Sequence, residues 1–343
     1  MNCARQVNTC LPKISEYETA LGQNQDLYQA FEALANSDEF NTLSMAQKKS
    51  INNSLRDFRL FGVALADDKK SQFAKLSKQL SEITSQFGDQ VMDATDAWSY
   101  LITDAAELAG LPDSALSLAK QAAETKGKEG YLLTLDAPSY IPVMVYCENR
   151  ALRKQLSLAM TTRASDKGPQ AGQFDNSQLM VQILSLRKAL AQLLSFPNFA
   201  EQSLATKMAD TPEQVIDFLN DLATQSKAAA QSEFADLEAF AAEHYHVDAL
   251  EPWDVAFYAE KQKKAAFDIS DEQLRAYFPA PVVISGLFQV ANKLFGIEVK
   301  EIFDMSTWHK DVTTYAIYKD NKMIARFYLD LYSRSKKRGG AWM

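Results

Sequence analysis

Apolar side chains recur every three to four residues along much of the chain, which is the spacing of an amphipathic helix. In the stretch 48–61, Ile51, Leu55 and Phe58 fall on one helical face. A second stretch repeats this spacing through Phe73, Leu76, Leu80, Ile83 and Phe87. The pattern returns at 152–160 and 179–194. These stretches predict a mainly α fold.

A few residues predict where helices stop and start. Gly110 is expected to end one element. Pro112, followed by Asp113 and Ser114, is expected to begin the next. Thr211, Pro212 and Glu213 are typical of a helix start, with a cap candidate followed by Pro and an acid in the first turn. Gly and Pro number only 12 and 10 of 343 residues, so long helices are favoured over an all-β fold.

The β signals are short and mostly late in the chain. Stretches 312–318 and 323–331 are rich in Tyr, Ile, Val and Phe, and the polar residues 319–322 separate them. This pattern predicts an antiparallel hairpin. Residues 131–135 are also β-prone, but the two prolines that follow, at 138 and 142, exclude a long central strand there.

Composition and charge exclude several classes of protein. The chain is 47% hydrophobic and carries a net charge of −8, which makes nucleic acid an unfavourable partner. No window approaches 18 apolar residues, so we expect no membrane span. Three cysteines, Cys3, Cys10 and Cys147, argue against a disulfide framework, and the first residues lack an apolar secretory region. We therefore expect a cytoplasmic protein.

No catalytic or metal-binding motif is present in these residues. A zinc site of the HExxH type needs two His four positions apart on one helical face, and His244 and His246 are only two apart. We expect both to be surface residues near a helix end. His309 is expected in a loop or a packing role, and Cys147 as a buried structural thiol.

Three other features of the sequence also do not indicate a catalytic reaction. Ser285 lacks the glycines of a GxSxG elbow and is predicted to be an ordinary helix residue. The paired carboxylates along the chain are typical of a solvated face. The basic cluster Arg334, Lys336, Lys337 and Arg338 is either a solvated segment or a contact for a peptide carboxylate, and both remain open. No catalytic or metal residue is assigned, and substrate-binding residues stay unknown.

Several stretches nevertheless resemble the thimet-oligopeptidase family of zinc metallopeptidases. The run from Phe327 to Arg334, continuing to Lys337–Met343, is similar to the family segment FYLDLYxR…KRGGAWM. Residues 335–336 depart slightly from the pattern in charge. Further matches, in chain order, are Glu107–Pro112, Ser203–Ala209, Trp253–Asp254 with Tyr258, Tyr277–Pro279, Gly286–Phe288, Phe295–Ile297 and Trp308–His309. The resemblance extends from about residue 11 to 343 and is specific in the number and order of its matches.

The resemblance implies a fold of two mostly helical lobes beside a deep channel, of which this chain would carry an incomplete part. It assigns residues 1–62 to the zinc-bearing lobe, 63–267 to the opposite lobe and 268–343 to the zinc-bearing lobe again. The hairpin near the C-terminus would join a small sheet beside the active site. In the family, the HExxH helix and the other catalytic residues follow the GGAW segment, so no catalytic position can be carried over.

The function implied is part of a cytoplasmic zinc metallo-oligopeptidase that hydrolyses short peptides. Zinc belongs to the complete family enzyme, and we expect none to be bound by this chain, which alone is predicted to be inactive. Peptides are the expected partners, possibly with a separate chain that carries the zinc half. The alternatives are a non-catalytic helical peptide-binding protein, half of a split peptidase, or a decayed gene product.

Overall fold

The computed structural model describes residues 3–334 and residue 337, and these residues are mainly helical. Lys336, Arg338 and the Gly339–Met343 part of the family resemblance lie outside the described residues. The chain divides into two compact units. The first comprises Met1–Ala94 and Thr162–Ser232, and the second comprises Thr95–Thr161 and Glu233–Met343.

The regular secondary structure in the described part of the first unit consists of helices, which loops and turns connect. Its helices are α1 (Cys3–Gly22), α2 (Gln25–Ala35), α3 (Asp38–Thr42), α4 (Met45–Leu60), α5 (Asp67–Ala97, up to Ala94), α9 (Ser177–Leu193), α10 (Phe199–Leu204) and α11 (Pro212–Tyr245, up to Ser232). The predicted helices at 48–61 and around Phe73 correspond to α4 and α5. The predicted start at Pro212 is also confirmed.

Helix α4 shows why the periodic pattern folds as it does. Ser44 caps its first turn in a capping box with Gln47, which satisfies backbone groups that a helix end leaves free. The predicted face of Ile51, Leu55 and Phe58 is buried. The ring of Phe58 receives Tyr28 and Phe31 of α2 at centroid distances of 6.0 and 5.7 Å.

The second unit mixes helices with two small sheets. Its helices are α6 (Asp113–Thr125), α7 (Ala137–Tyr146), α8 (Arg150–Thr161), the end of α11, α12 (Val255–Phe267), α13 (Asp271–Arg275) and α14 (Ala280–Phe295), with a 3₁₀ turn at Ala105–Leu108. Strands β1 (Ser99–Ile102) and β2 (Tyr131–Thr134) pair antiparallel. The other sheet has the order β3–β4–β5, formed by Glu298–Ile302, Thr313–Lys319 and Lys322–Leu329.

The predicted hairpin is confirmed as β4 and β5, and β3 extends it to three antiparallel strands. Asp320 and Asn321 both have positive φ in the connecting turn, at 50° and 61°. Asp and Asn tolerate this left-handed region better than most residues, which explains a tight two-residue turn here.

The core of the second unit lies between β1, β2, α6, α7 and α8. We call it the second-unit core: Trp98, Ile102, Leu108, Leu111, Ala119, Leu133, Leu135, Val143, Met144, Cys147, Leu152, Leu156 and Ala159. The two prolines after β2 lie in helix α7, Pro138 in its first turn and Pro142 inside it. The assignment of 1–62, 63–267 and 268–343 to lobes concerns the complete enzyme and stays a prediction.

Candidate functional site

A groove of about 690 Å³ lies between helix α14 and the β3–β4–β5 sheet. Pro279 precedes the helix, and Gly296, with φ of 65°, ends it in a left-handed turn that leads directly into β3. This short connection holds α14 against the sheet. The ring of Phe288 meets Tyr315 at 5.1 Å and Phe327 at 6.3 Å, and these two rings stack on each other.

The lining of the groove combines polar and apolar side chains. Ser285, Gln289 and Asn292 form its polar helical wall. The remaining lining is Pro281, Ile284, Phe288, Lys293, Glu298, Val299, Glu301, Asp311, Thr313, Tyr315, Leu329, Leu331 and Tyr332. Such a surface offers hydrogen-bonding groups beside apolar contacts.

Ser285 is a helix residue, as predicted, and its Oγ accepts a hydrogen bond from Gln289 Nε2 at 3.4 Å. This neighbour is an amide, which cannot take up the hydroxyl proton as a general base would. Cys147 is buried with no exposed surface, and burial raises the pKa of its thiol above the ordinary value. A high pKa leaves little thiolate, so Cys147 is a structural thiol, as predicted.

The three histidines do not assemble into one site. His244 lies in the last turn of α11, one residue before its end, and His246 follows the helix with φ of 57°. His309 lies in the segment between β3 and β4, where its Nδ1 accepts the backbone N–H of Asp311 at 3.3 Å. The predictions of a helix end and a loop are confirmed.

The described part of the chain does not bring together the donors that a catalytic zinc ion needs. Among the described residues, no group of three His, Cys, Asp or Glu side chains is arranged to hold a metal ion. The zinc of the thimet-oligopeptidase family therefore has no fitting ligand set in the part of the chain that the structure describes. No reaction step through zinc follows from these residues.

Two members of the basic cluster, Arg334 and Lys337, bind a carboxylate of their own chain. Arg334 donates two hydrogen bonds to Asp330, at 2.7 and 2.8 Å. Lys337 Nζ lies 3.1 Å from Asp330 Oδ1, and the indole N–H of Trp308 donates to Oδ2 at 3.1 Å. The hydrogen bond from Arg334, with those from Lys337 and Trp308, holds the pKa of Asp330 well below its ordinary value.

The basic cluster was expected to be either a solvated segment or a contact for a peptide carboxylate, and these contacts answer that question for Arg334 and Lys337. Arg334 and Lys337 both contact Asp330, which is the first residue after β5. They are thus engaged inside the chain. Lys336 and Arg338 lie outside the described residues. Asp330 and Arg334 are four positions apart, but their segment is not helical, so the helical spacing rule does not predict this pair.

A second carboxylate cluster joins distant parts of the second unit. Asp254 has no exposed surface and accepts hydrogen bonds from Arg153 at 2.8 Å and Arg150 at 2.6 Å. Arg153 is 1% exposed and also donates to the carbonyl oxygens of Cys147 and Trp253, at 2.7 and 3.1 Å. Its guanidinium lies 4.1 Å from the ring centroid of Phe257.

Opposing effects set the protonation of Asp254. Burial by itself would raise the pKa of this carboxyl, but hydrogen bonds from Arg150, Arg153 and the backbone of Glu251 outweigh burial and hold the pKa below its ordinary value. The charge is paired and its oxygens are hydrogen-bonded, which is the condition for keeping an ion buried. The cluster is therefore a structural clamp between α8 and the start of α12.

Among the helices of the described residues, none is both long enough and apolar enough to cross a bilayer.

The helical units, the small sheets and the motif around Asp330 agree with the family that the sequence matches. The model of Peptidase family M3 matches residues 143–343, and the Neurolysin/Thimet oligopeptidase N-terminal domain matches residues 3–70. The first of these covers more than half of the chain. The chain belongs to Peptidase family M3.

Within this family the chain is similar to the oligopeptidases A. It is 52% identical to oligopeptidase A of Escherichia coli over 334 residues, which are 97% of this chain and 49% of the relative. Identity to oligopeptidase A of Haemophilus influenzae is 51% over 98% of this chain and 49% of the relative. A probable cytosolic oligopeptidase A of Arabidopsis thaliana is 40% identical over 97% of this chain and 48% of its own length. The chain thus spans about half the length of these relatives.

Proposed function

We propose that this chain is part of an oligopeptidase that hydrolyses short peptides. The observation that carries the proposal is 52% identity to a bacterial oligopeptidase A across 97% of the chain. The chain length and the peptidase length differ by a factor of about two, so the activity is assigned to an assembly that contains more polypeptide than these 343 residues.

Zinc is the cofactor that we propose for that assembly. When bound, it would polarise the peptide carbonyl and supply an activated water. The 343 residues contain no HExxH sequence, and their described part gathers no metal-ligand set. We therefore assign the ligands to the additional polypeptide, carried either in one chain with these residues or by a separate zinc half.

The residues of this chain supply the framework in that proposal. The clamp of Asp254, Arg150 and Arg153 fixes α8 to α12, and the contacts of Asp330 with Arg334 and Lys337 fix the segment after the sheet. Both would keep peptide-binding walls rigid. Residues that touch the peptide stay unassigned.

A cytoplasmic location is part of the same proposal. Cys10 is exposed and Cys147 is buried, and both thiols are free. Free thiols accord with a reducing compartment.

The proposal is tested by measuring bound zinc and peptide hydrolysis with the purified 343-residue chain. A quenched fluorescent peptide of about ten residues serves as substrate, with and without a chelator, and the complete E. coli oligopeptidase A is the positive control. We expect no stoichiometric zinc and no chelator-sensitive hydrolysis by the isolated chain. Stoichiometric zinc together with chelator-sensitive cleavage would contradict the assignment of the ligands to additional polypeptide.

A second arm tests the peptidase assignment itself. The 343-residue chain replaces the 334 aligned residues of E. coli oligopeptidase A, giving a peptidase-length chimera. We expect this chimera to bind zinc and cleave the peptide. A folded chimera that binds zinc but leaves the peptide intact would favour the non-catalytic peptide-binding alternative.

A further inference from the structure

The short helix α13 lies between α12 and α14 and has no buried side chain. It has five residues, Asp271–Arg275, and its one apolar side chain, that of Leu274, is 38% exposed. The ends of the surrounding segment are exposed as well, at Asp268, which has φ of 51°, and at Pro279. We call residues 268–279 the strap. A helix this short is not stable by itself, because forming its first turn is unfavourable and few further hydrogen bonds follow. Other contacts must therefore hold the strap in place.

Polar side chains attach α13 to helix α6. Ser114 lies in the first turn of α6, 158 positions before Glu272, and its hydroxyl donates to Glu272 Oε1 at 2.9 Å. Arg275 Nη1 donates to the oxygen of the same hydroxyl at 3.1 Å, and it lies 3.4 Å from Glu272 Oε2. The hydroxyl of Ser114 thus both donates and accepts a hydrogen bond. The three side chains form a closed set of contacts that joins two distant parts of the sequence.

A lysine attaches α13 to helix α12. Lys263 Nζ lies 2.6 Å from Glu260 Oε2 on its own helix, and it donates to Asp271 Oδ1 at 3.1 Å. The side chain of Glu260 is 11% exposed, whereas that of Asp271 is 76% exposed. The pair with Asp271 therefore lies in water, where an ion pair is weak and salt screens it further. We call the residues that attach α13 the latch: Ser114, Lys263, Asp271, Glu272 and Arg275.

The latch is weak beside the packing of the second-unit core, in which Leu156 has no exposed surface. A capping box of Ser270 with Gln273 stabilises α13 internally but does not attach it to its neighbours. Segments with few buried apolar contacts open at a lower free energy than the core. We propose that the strap is a releasable device, which detaches from α6 and α12 as a unit when ionic strength rises, while the second-unit core stays folded. This inference does not depend on the proposed peptidase function.

Hydrogen–deuterium exchange of the purified 343-residue chain, resolved by peptide mass spectrometry, measures opening of the strap and of the core separately. Two matched pairs of substitutions test the latch. Ser114→Ala removes its hydroxyl, and Ser117→Ala removes an exposed hydroxyl further along the same helix. Lys263→Met removes its lysine, and Lys264→Met removes the exposed neighbouring lysine. Circular dichroism checks that each variant folds, and if one variant does not, the other pair decides.

At low salt, we expect Ser114→Ala and Lys263→Met to speed exchange in the strap at least about threefold, because each removes part of the attachment. Ser117→Ala and Lys264→Met should leave strap exchange within about 1.5-fold of the unsubstituted chain. Exchange in the second-unit core should be unchanged in all four variants. Equal strap exchange within a matched pair would overturn the proposal.

The response to salt tests the device itself. Raising NaCl from about 0.1 to about 1 M should speed strap exchange in the unsubstituted chain at least about twofold, because salt screens the exposed ion pairs. The factor should be smaller in Lys263→Met, which has already lost the pair with Asp271. Strap exchange that does not respond to salt would overturn the proposal, as would a core that opens together with the strap. A strap without protection in the unsubstituted chain at low salt would also overturn it, since the latch would then hold nothing.

Discussion

The second unit contains two regions of similar composition and opposite exposure. In the second-unit core, Leu156 and Cys147 have no exposed surface and Val143 retains 1%. In α14, leucine and valine side chains of the same kinds are about half to two-thirds exposed. Because burial of a Leu or Val side chain contributes roughly 1.5–3 kcal/mol, the two regions differ in what stabilises them. The core residues are buried within this chain, whereas the described residues leave the apolar surface of α14 exposed.

Polar groups repeat this contrast. Asp254 lies in the interior with two arginines, and its side chain has no exposed surface. Asp330 also binds two cations, but its side chain remains 18% exposed beside the sheet. Removal of one member of a buried ion pair leaves an uncompensated charge, whereas water screens a pair near the surface. Predictions about these residues therefore test the comparison directly.

The largest effect is expected from Asp254→Ala, which leaves the guanidinium of Arg153 buried without its carboxylate. We expect this substitution to lower the free energy of unfolding by about 3–5 kcal/mol. Asp330→Ala is the matched change outside the core and should cost about 1 kcal/mol. Urea unfolding followed by circular dichroism measures both, and equal losses would contradict the contrast between the two clusters.

The next effect concerns leucines. Leu156→Ala should cost about 2–5 kcal/mol, because it removes a fully buried side chain and leaves a cavity. Leu287→Ala, at a site that is 62% exposed, should change the free energy of unfolding by no more than about 0.5 kcal/mol in the isolated chain. The same urea titration serves for both variants. A loss of several kcal/mol from Leu287→Ala would show that α14 is already covered.

The smallest effect is a dependence of stability on pH. The pKa of Asp254 in the folded chain lies below its ordinary value of 3.8, so the unfolded chain binds the proton more readily in acid. The contribution of Asp254 is thus complete at pH values above about 5 and is lost as the pH falls through 3.8 toward the lower folded value. We expect Asp254→Asn to flatten the acid limb of a plot of stability against pH.

Asp136 provides the control for that measurement. Burial raises the pKa of Asp136, more than its hydrogen bond with Thr134 lowers it. Its linkage therefore has the opposite sign, since a raised pKa contributes stability that is lost as the pH rises through the folded value. Asp136→Asn should not flatten the acid limb, and identical profiles for the two variants would contradict the assignment of the acid limb to Asp254.

Local signals in the sequence predicted much of the fold. The helices around Ile51 and Phe73, the start at Pro212 and the β4–β5 hairpin all follow from spacing and turn residues that act within a few positions. Strand β3 (Glu298–Ile302) was missed, because its five residues include three charged side chains and resemble a loop. Helix α7 was missed because Pro138 and Pro142 were interpreted only as strand breakers.

The groove and the clamps could be predicted only in part. Asp330 and Arg334 are only four positions apart, but their segment is not helical, so the helical spacing rule did not reveal the pair. Arg153 and Asp254 are 101 positions apart, and no local pattern pairs them. The apolar side chains of α14 were visible in the sequence, but their exposure depends on which other elements reach this helix, and this is a property of the folded chain. Three-dimensional packing therefore supplied what periodicity could not.

The intact mass of the native protein tests the central claim most directly. The protein is captured from its source cells with an antibody against this chain, and the mass of the undissociated assembly is measured. We predict about twice 38.3 kDa, with polypeptide that contains an HExxH zinc site in the same chain or in a bound second chain. A native species of 38.3 kDa without such a partner would contradict the account.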